Sequence, residues 1–209
     1  MSNFTFLQNA INTSPRLENL AAAIDLLYAP LTRSQDAWQR WCYHGHVLPV
    51  ANFACELAIA HGANLEQCAA GALLHDVADT VMLRDDPQFE AASVKIAEAQ
   101  LCMCGFTAEE IEVLMRKVIE PHSCTDGPPP TLDGKIVASG DALAHLLTDF
   151  YTFTTWAHLG DDDYLAHREW VLGKLEKDLT RKIFFEDARS RVEPAYQALK
   201  LVFGGAGNA

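Results

Sequence analysis

Residues 64–79 read NLEQCAAGALLHDVAD, and this stretch indicates how the chain folds. Asn64 followed by Gln67 is typical of a helix start, because a short polar side chain can cap the free backbone N–H groups there. The helix predicted from this cap is mostly apolar and runs through Leu74 and beyond. It becomes polar abruptly at His75. The stretch therefore predicts a buried helix whose far end carries a cluster of polar side chains.

Helical periodicity extends over most of the chain. Apolar residues recur every three or four positions in 17–27 and 47–60, as they do on one face of a helix. The sequence TAEE at 107–110 is a capping box, and it predicts a helix through Val118. There is no alternating strand pattern and no internal repeat, so we predict an all-α bundle. Further helices are expected over 136–147, 163–182 and 186–203.

The chain has 209 residues, a length that suits one domain. We predict a single helical domain over residues 1–203. Residues 125–134 contain three consecutive prolines and should form an extended loop. The glycine-rich end, 204–209, is expected to be a disordered tail.

Charge and composition indicate which kinds of molecule the protein can bind. The chain has 16 basic and 28 acidic residues and a net charge of −12, so we expect no nucleic acid partner, because phosphate backbones bind mainly to Lys and Arg. A small phosphorylated substrate stays compatible with this charge. No apolar run approaches the roughly 20 residues that cross a bilayer, and no secretory signal is evident. We therefore expect no membrane partner, a cytoplasmic location and six reduced cysteines.

The polar cluster at the end of the apolar helix is the strongest functional signal. His75 and Asp76 are adjacent, and Asp79 lies three and four residues further on, on the same helical face. A long histidine and a short aspartate can converge on an ion between them. The alternative is a solvated helix end, in which His75 caps a backbone group and Asp76 is exposed.

Three other helices each offer a candidate ligand in mostly apolar surroundings. His46 opens one helix, His122 ends another, and Asp141 lies inside a third. A buried carboxylate is costly unless it is paired or coordinates a metal. His145, one turn after Asp141, is expected beside it.

The order His46 … His75-Asp76 … Asp141 resembles the HD superfamily of metal-dependent phosphohydrolases. The resemblance covers residues 40–147 and extends to the flanking residues at 46–51, 71–76 and 135–143. It implies an HD-type helical domain with a core motif region at 40–147, followed by C-terminal helices over 160–203. The later residues are similar to one branch, the small bacterial single-domain HD hydrolases.

The resemblance implies that His46, His75, Asp76 and Asp141 bind one divalent metal ion. Two imidazoles and two carboxylates without a thiolate fit Mn, Fe, Co, Ni or Mg. Many relatives carry Asp-Ala-Asp where this chain has Ser-Gly-Asp at 139–141, and the paired histidines of diiron members are not evident. We therefore expect a single metal ion.

Two further residues are candidates for catalysis. Asp79 lies one turn from the ligands and is the candidate general base, although some relatives carry the longer Glu at this position. His122 is the candidate partner of the substrate phosphate. Its alternative role is that of a helix-end histidine satisfied by the backbone.

A late basic segment supplies the candidate substrate-binding residues, Lys174, Arg181 and Arg189. An acidic protein needs local positive charge to hold an anionic substrate, and 174, 177 and 181 would share one face of a regular helix. The alternative is a solvated helix face offset by nearby carboxylates, which we prefer for Lys177.

These observations predict a metal-dependent phosphohydrolase that acts on a nucleotide or another small phosphate ester. They are compatible with a homodimer. The alternative is a non-hydrolytic HD protein, either a diiron oxygenase relative or a nucleotide-sensing module. An oxygenase would hold two irons per chain, and a sensing module would bind a nucleotide without turnover.

Overall fold

The computed structural model describes residues 4–157 and 164–205, and within them it contains helices and no strands. The all-α prediction is confirmed. The predicted apolar face of the second helix is also found, since Leu17, Leu20 and Ile24 are fully buried. The α-helices are α1 (Thr5–Ile11), α2 (Pro15–Tyr28), α3 (Ala37–Cys42), α4 (Leu48–His61), α5 (Leu65–Leu74), α6 (Phe89–Met103), α7 (Ala108–Leu114), α8 (Leu132–Leu147), α9 (Phe150–Ala157), α10 (Tyr164–Lys177) and α11 (Glu186–Gly204).

Side-chain caps begin several of these helices where the sequence predicts them. The Asn64 side chain accepts a hydrogen bond from Gln67 N, and Thr107 and Glu110 form both bonds of the predicted capping box. The helix after Asn64, however, ends at Leu74 instead of continuing. Asp76 leaves the helical conformation with φ −125° and ψ 30°, and a 3₁₀ turn follows at Val77–Thr80.

Three π-helical turns widen the helices at one end of the bundle. Tyr43–Val47 joins α3 to α4, Met115–Ile119 continues α7, and Asp178–Lys182 continues α10. Pro49, which follows the first of these turns, has no backbone N–H to donate within the helix. A π turn rotates the side chains that follow it, and such turns are frequent at functional sites.

Helix α4 lies at the centre of the bundle, packed against α1, α5 and α8. The crossing with α8 requires a glycine. A Cβ on Gly140 would lie 3.0 Å from Ala54 N and 3.1 Å from Val50 O, both backbone atoms of α4. Because α8 approaches α4 this closely at Gly140, the next residue, Asp141, lies beside the start of α4.

The C-terminal helices close the side of the bundle next to α8. The predicted helix over 163–182 is present from Tyr164, and its first predicted residue lies outside the described residues. The last helix extends to Gly204, one residue further than predicted, and positions 206–209 of the predicted tail are also outside the described residues. Among the described residues no helix is long and apolar enough to cross a bilayer. All six cysteines are free thiols.

Candidate metal centre and substrate cleft

The four predicted metal ligands converge on one point. The Nε2 atom of His46 lies 3.1 Å from His75 Nε2, 3.4 Å from Asp76 Oδ2 and 3.5 Å from Asp141 Oδ1. The His75 Nε2 atom lies 3.2 Å from the same Asp76 oxygen. All four residues are buried. They come from a π turn, the end of α5 and the middle of α8, so only the packing of these elements brings them together.

Hydrogen bonds orient the donors toward this point. His75 Nδ1 donates to Ala72 O at 2.7 Å, so the lone pair of its ring is on Nε2. The two Nε2 atoms then face each other across 3.1 Å. Asp141 Oδ1 is buried and accepts no hydrogen bond in the described part of the chain. A buried carboxylate oxygen without a donor, beside the Nε2 atoms of His46 and His75, is the arrangement that a cation would satisfy.

The spacing also fits a single ion. Two ligand atoms about 2.1 Å from one ion lie about 3 Å apart when they meet at a right angle. The donor atoms of His46, His75 and Asp141 all lie within 4.8 Å of one another, and so do those of His75, Asp76 and His122. The two sets share His75.

The electrostatics of the four residues favour a cation. Burial lowers the pKa of His46 to about 3, which keeps the ring neutral. Burial acts in the same direction on His75, but the adjacent Asp76 carboxylate outweighs it and raises the pKa of His75. Burial opposes the charge of Asp141, yet His145, Lys182 and His46 together hold its pKa well below the ordinary value. Both carboxylates are therefore ionised.

His122 lies at the edge of this centre, on a 3₁₀ turn after the π turn that ends α7. Its Nδ1 donates to Ile119 O at 2.6 Å, so the backbone satisfies one nitrogen as the alternative interpretation expected. The ring still packs on His75, with centroids 5.1 Å apart, and it lines the cleft. Its Nε2 is therefore available to a ligand, and the predicted phosphate contact stays a prediction.

Asp79, the predicted general base, pairs with an arginine, and its catalytic role stays a prediction. It is fully buried, and both of its oxygens accept hydrogen bonds from Arg84, at 3.1 Å from Nε and 2.7 Å from Nη2. Arg84 Nη2 also donates to Asp76 Oδ2. Sequence analysis missed Arg84, because it lies in a loop before α6 where no periodicity indicates its direction.

The basic segment reaches the cleft through one of the three predicted residues, Lys174, and through Lys177 and Lys182. Lys174 does line the cleft, but Arg181 is exposed outside it, and Arg189 donates to the carbonyl of Ile183 instead. Lys182 is buried and its Nζ donates to Asp141 Oδ2. Lys182 ends the π turn Asp178–Lys182 and lies on its buried side with Asp178 and Leu179.

The predicted neighbour His145 belongs to a buried network behind Asp141. Its Nε2 lies 3.1 Å from Asp141 Oδ1, and its Nδ1 donates to Asp178 Oδ2 at 3.0 Å. The same Asp178 carboxylate accepts hydrogen bonds from Tyr151 at 2.7 Å and from Lys174 at 3.1 Å. Asp178 and Tyr151 had no signal in the sequence, since their polar atoms are paired only across helices.

Ser139 connects this network to the last helices. It stands where many HD relatives carry an additional aspartate, and its hydroxyl donates to Lys182 O at 2.9 Å and accepts from Phe184 N at 3.1 Å. Ser139 thus ties the 182–184 segment to α8 and holds Lys182 next to Asp141.

The centre lies in a cleft of about 760 Å³. Its cationic lining residues are Arg84, Lys174, Lys177 and Lys182, and its aromatic lining residues are Trp38, Phe89, Phe150, Phe153 and Trp170. Five lining carboxylates, together with the buried Asp79 and Asp178 that pair with lining cations, outnumber these four cations, so the charge of the cleft favours a bound cation.

Comparison with known proteins agrees with this architecture. The HD domain family matches residues 43–146, a range that contains all four converging residues. No curated protein and no solved structure matches the chain significantly. The family match confirms the resemblance drawn from the sequence, and the chain belongs to the HD superfamily.

Proposed function

We propose that this protein is a metal-dependent phosphohydrolase that acts on a nucleotide or another small phosphate ester. The observation that carries the proposal is the convergence of His46, His75, Asp76 and Asp141 at the floor of a cleft that also contains four cations. HD domains are typically metal-dependent hydrolases, which supports the same reaction class. The aromatic wall of the cleft supports a substrate with a planar group, such as a nucleobase.

The four residues would hold one divalent ion. Such an ion supplies Lewis-acid chemistry, since it polarises a phosphoryl oxygen and lowers the pKa of a water. The chain's own contribution is positional. Lys182 holds the Asp141 carboxylate at Oδ2, the Ala72 carbonyl fixes the His75 ring, and His122 would offer Nε2 to the substrate.

The test combines a substrate panel with ligand variants. Purified protein is incubated with nucleotides and phosphomonoesters in Mn, Mg, Co or Ni, and phosphate release is measured beside elemental analysis. We expect turnover and a near-stoichiometric metal in the wild type. We expect His75→Ala and Asp141→Ala to lose most of the metal and at least about 100-fold in rate, because they remove ligands.

His61→Ala is the matched control. His61 also pairs with an aspartate, Asp187 at 3.2 Å, but it lies on the outer surface away from the cleft. Unchanged metal content in both ligand variants would contradict the proposed centre. Folding is checked separately by circular dichroism, because the ligands come from several helices.

A non-hydrolytic HD protein is the second candidate, and two observations favour it. Both oxygens of Asp79 are engaged by Arg84, which suits a nucleotide-sensing module that binds without turnover. The second donor set, His75, Asp76 and His122, suits a diiron oxygenase relative. Nucleotide binding without product would favour the sensing module, whereas two irons per chain with a visible chromophore would favour the oxygenase.

A further inference from the structure

Arg84 lines the cleft and is held in place by two carboxylates and two aromatic rings. Its Nε and Nη2 atoms donate to the two oxygens of Asp79, and Nη2 also donates to Asp76. Its guanidinium lies 4.4 Å from the centroid of the Trp38 ring and 5.6 Å from that of Phe89. A guanidinium with this many contacts has little rotational freedom left to lose when it binds a ligand.

One end of the same guanidinium remains available. Arginine carries five N–H donors, and the contacts with Asp76 and Asp79 use those of Nε and Nη2. Among the described residues, none accepts a hydrogen bond from Nη1. The Arg84 side chain is 40% exposed, and it lines the cleft together with Asp76, His122 and Asp141. The lining of the cleft therefore includes a guanidinium whose two Nη1 donors are used by no described residue.

The other cations of the cleft are placed less favourably for this purpose. Lys182 is buried against Asp141, and Lys174 donates to Asp178. Lys177 donates to the Thr125 hydroxyl at 3.4 Å, and an ammonium on a flexible stem is less organised than a guanidinium fork.

We propose that Arg84 is the phosphate-binding residue of this cleft and that Asp79 is its positioning residue. The proposal rests on the function proposed above and names the group that recognises the substrate's phosphate. Phosphate oxygens would accept hydrogen bonds from Nη1, the geometry for which arginine is suited. Asp79 holds the opposite edge of the guanidinium and does not accept a proton from water.

The burial of Asp79 supports this division of roles. A fully buried carboxylate with both oxygens occupied has no position for a water, whereas it fixes a guanidinium in two directions at once. The Asp79 carbonyl also accepts a hydrogen bond from Gln39 Nε2 at 3.2 Å, which anchors the backbone of the same residue.

Binding of inorganic phosphate to the metal-loaded protein tests the proposal without requiring turnover. Calorimetric titration is carried out on the wild type, Arg84→Ala, Arg84→Lys and Asp79→Asn, with metal content measured in each. We expect Arg84→Ala to weaken phosphate binding at least about tenfold and Arg84→Lys to recover part of the loss, since charge-assisted hydrogen bonds are lost or reduced. Asp79→Asn should weaken binding several-fold, because Arg84 loses its anchor.

Arg191→Ala is the matched control. Arg191 also pairs with a carboxylate, Glu56 at 2.9 Å, and lies over an aromatic ring, Phe53 at 5.1 Å. Its side chain is 45% exposed, close to that of Arg84, but it lies outside the cleft. The phosphate affinity of the Arg191→Ala protein should equal that of the wild type.

The outcomes separate this proposal from the proposed function. An Arg84→Ala protein that retains its metal and binds phosphate within twofold of the wild type would overturn the role of Arg84. An Asp79→Asn protein with unchanged phosphate affinity but a kcat lowered about 100-fold or more would show that Asp79 is a general base and overturn its positioning role. Arg84-dependent phosphate binding without turnover of any substrate would support Arg84 while contradicting the hydrolase.

Discussion

Arg16 and Arg84 each bridge two carboxylates, and the two arginines differ in which donors remain unused. Arg16 donates through Nε, Nη1 and Nη2 to Glu66 and Glu110, and its guanidinium lies 4.3 Å from the Phe106 ring centroid. Arg84 bonds Asp76 and Asp79 and lies at almost the same distance from Trp38, but only Nε and Nη2 are used. Both arginines thus pair with two carboxylates and an aromatic ring, but Nη1 donates to a carboxylate in Arg16 and to none of the described residues in Arg84.

The surroundings of the two clusters explain the difference. Arg16 joins α2 to α5 and α7 at the surface, where its carboxylates are partly exposed. Arg84 joins a fully buried carboxylate to a candidate metal ligand inside a cleft. An arginine whose three nitrogens all donate to carboxylates contributes to stability alone, whereas one with an unused Nη1 beside a cleft can also recognise an anion. The following predictions test this contrast.

The largest effect on stability is expected from removing the buried Asp79 carboxylate. We expect Asp79→Ala to lower the free energy of unfolding by about 2–3 kcal/mol. The substitution creates a cavity and removes the hydrogen bonds that Arg84 Nε and Nη2 donate to Asp79. Glu66→Ala should cost only about 1 kcal/mol, since water can replace a partly exposed carboxylate. Urea unfolding of chelator-treated protein measures both. Equal losses would show that the two clusters are energetically equivalent.

A smaller, pH-dependent effect is expected from removing Arg16. Arg16→Ala should cost about 1–2 kcal/mol at pH 7, through lost charge-assisted bonds and the contact with Phe106. Hydrogen bonds from Arg16 lower the pKa of Glu66 and bring that of Glu110 to about 2. A depressed carboxylate pKa stabilises the fold above the unfolded value of about 4.5 and loses this contribution as the pH falls toward 2.

The cost of Arg16→Ala should therefore be constant above about pH 5 and shrink below it. Unfolding measured at several pH values, with Arg40→Ala as a surface control, tests this dependence. A cost that stays the same down to pH 2 would mean that packing on Phe106, and not the ion pairs, accounts for the effect.

The smallest effect on stability is expected when the guanidinium of Arg16 is replaced by an ammonium, which keeps the positive charge. Arg16→Lys should lower the free energy of unfolding by about 0.5–1 kcal/mol, because one ammonium cannot bridge both carboxylates with the same bonds. For a chain of this length that corresponds to a fall in Tm of about 1–4 °C. Scanning calorimetry measures it, and an unchanged Tm would indicate that charge alone holds the Arg16 cluster.

The candidate metal centre could be predicted because its residues stand out locally. His75 and Asp76 end an apolar helix, and Asp141 is a carboxylate among apolar residues, so each is conspicuous within its own segment. The capping residues Asn64 and Thr107 are predictable for the same reason, since a cap involves only the next three residues. The HD family match then covers the same segments.

The residues around the centre could not be predicted, because their roles depend on contacts between distant segments. Lys182, and not Arg181, lines the cleft, and its contact with Asp141 joins positions 41 residues apart in the chain. Asp178 and Lys177 have ordinary surface-like sequence surroundings, yet the first is fully buried against His145 and Tyr151.

The helical class and the helix starts are predictable from the sequence, because periodicity and capping act over a few residues, and the four converging residues are predictable from its resemblance to the HD superfamily. Which charges face one another depends on the tertiary structure. The close crossing of α8 over α4 at Gly140 brings Asp141 to His46, and the loop before α6 brings Arg84 to Asp79. Electrostatic pairing depends on distances through space, and for residues far apart in the chain those distances are set by packing.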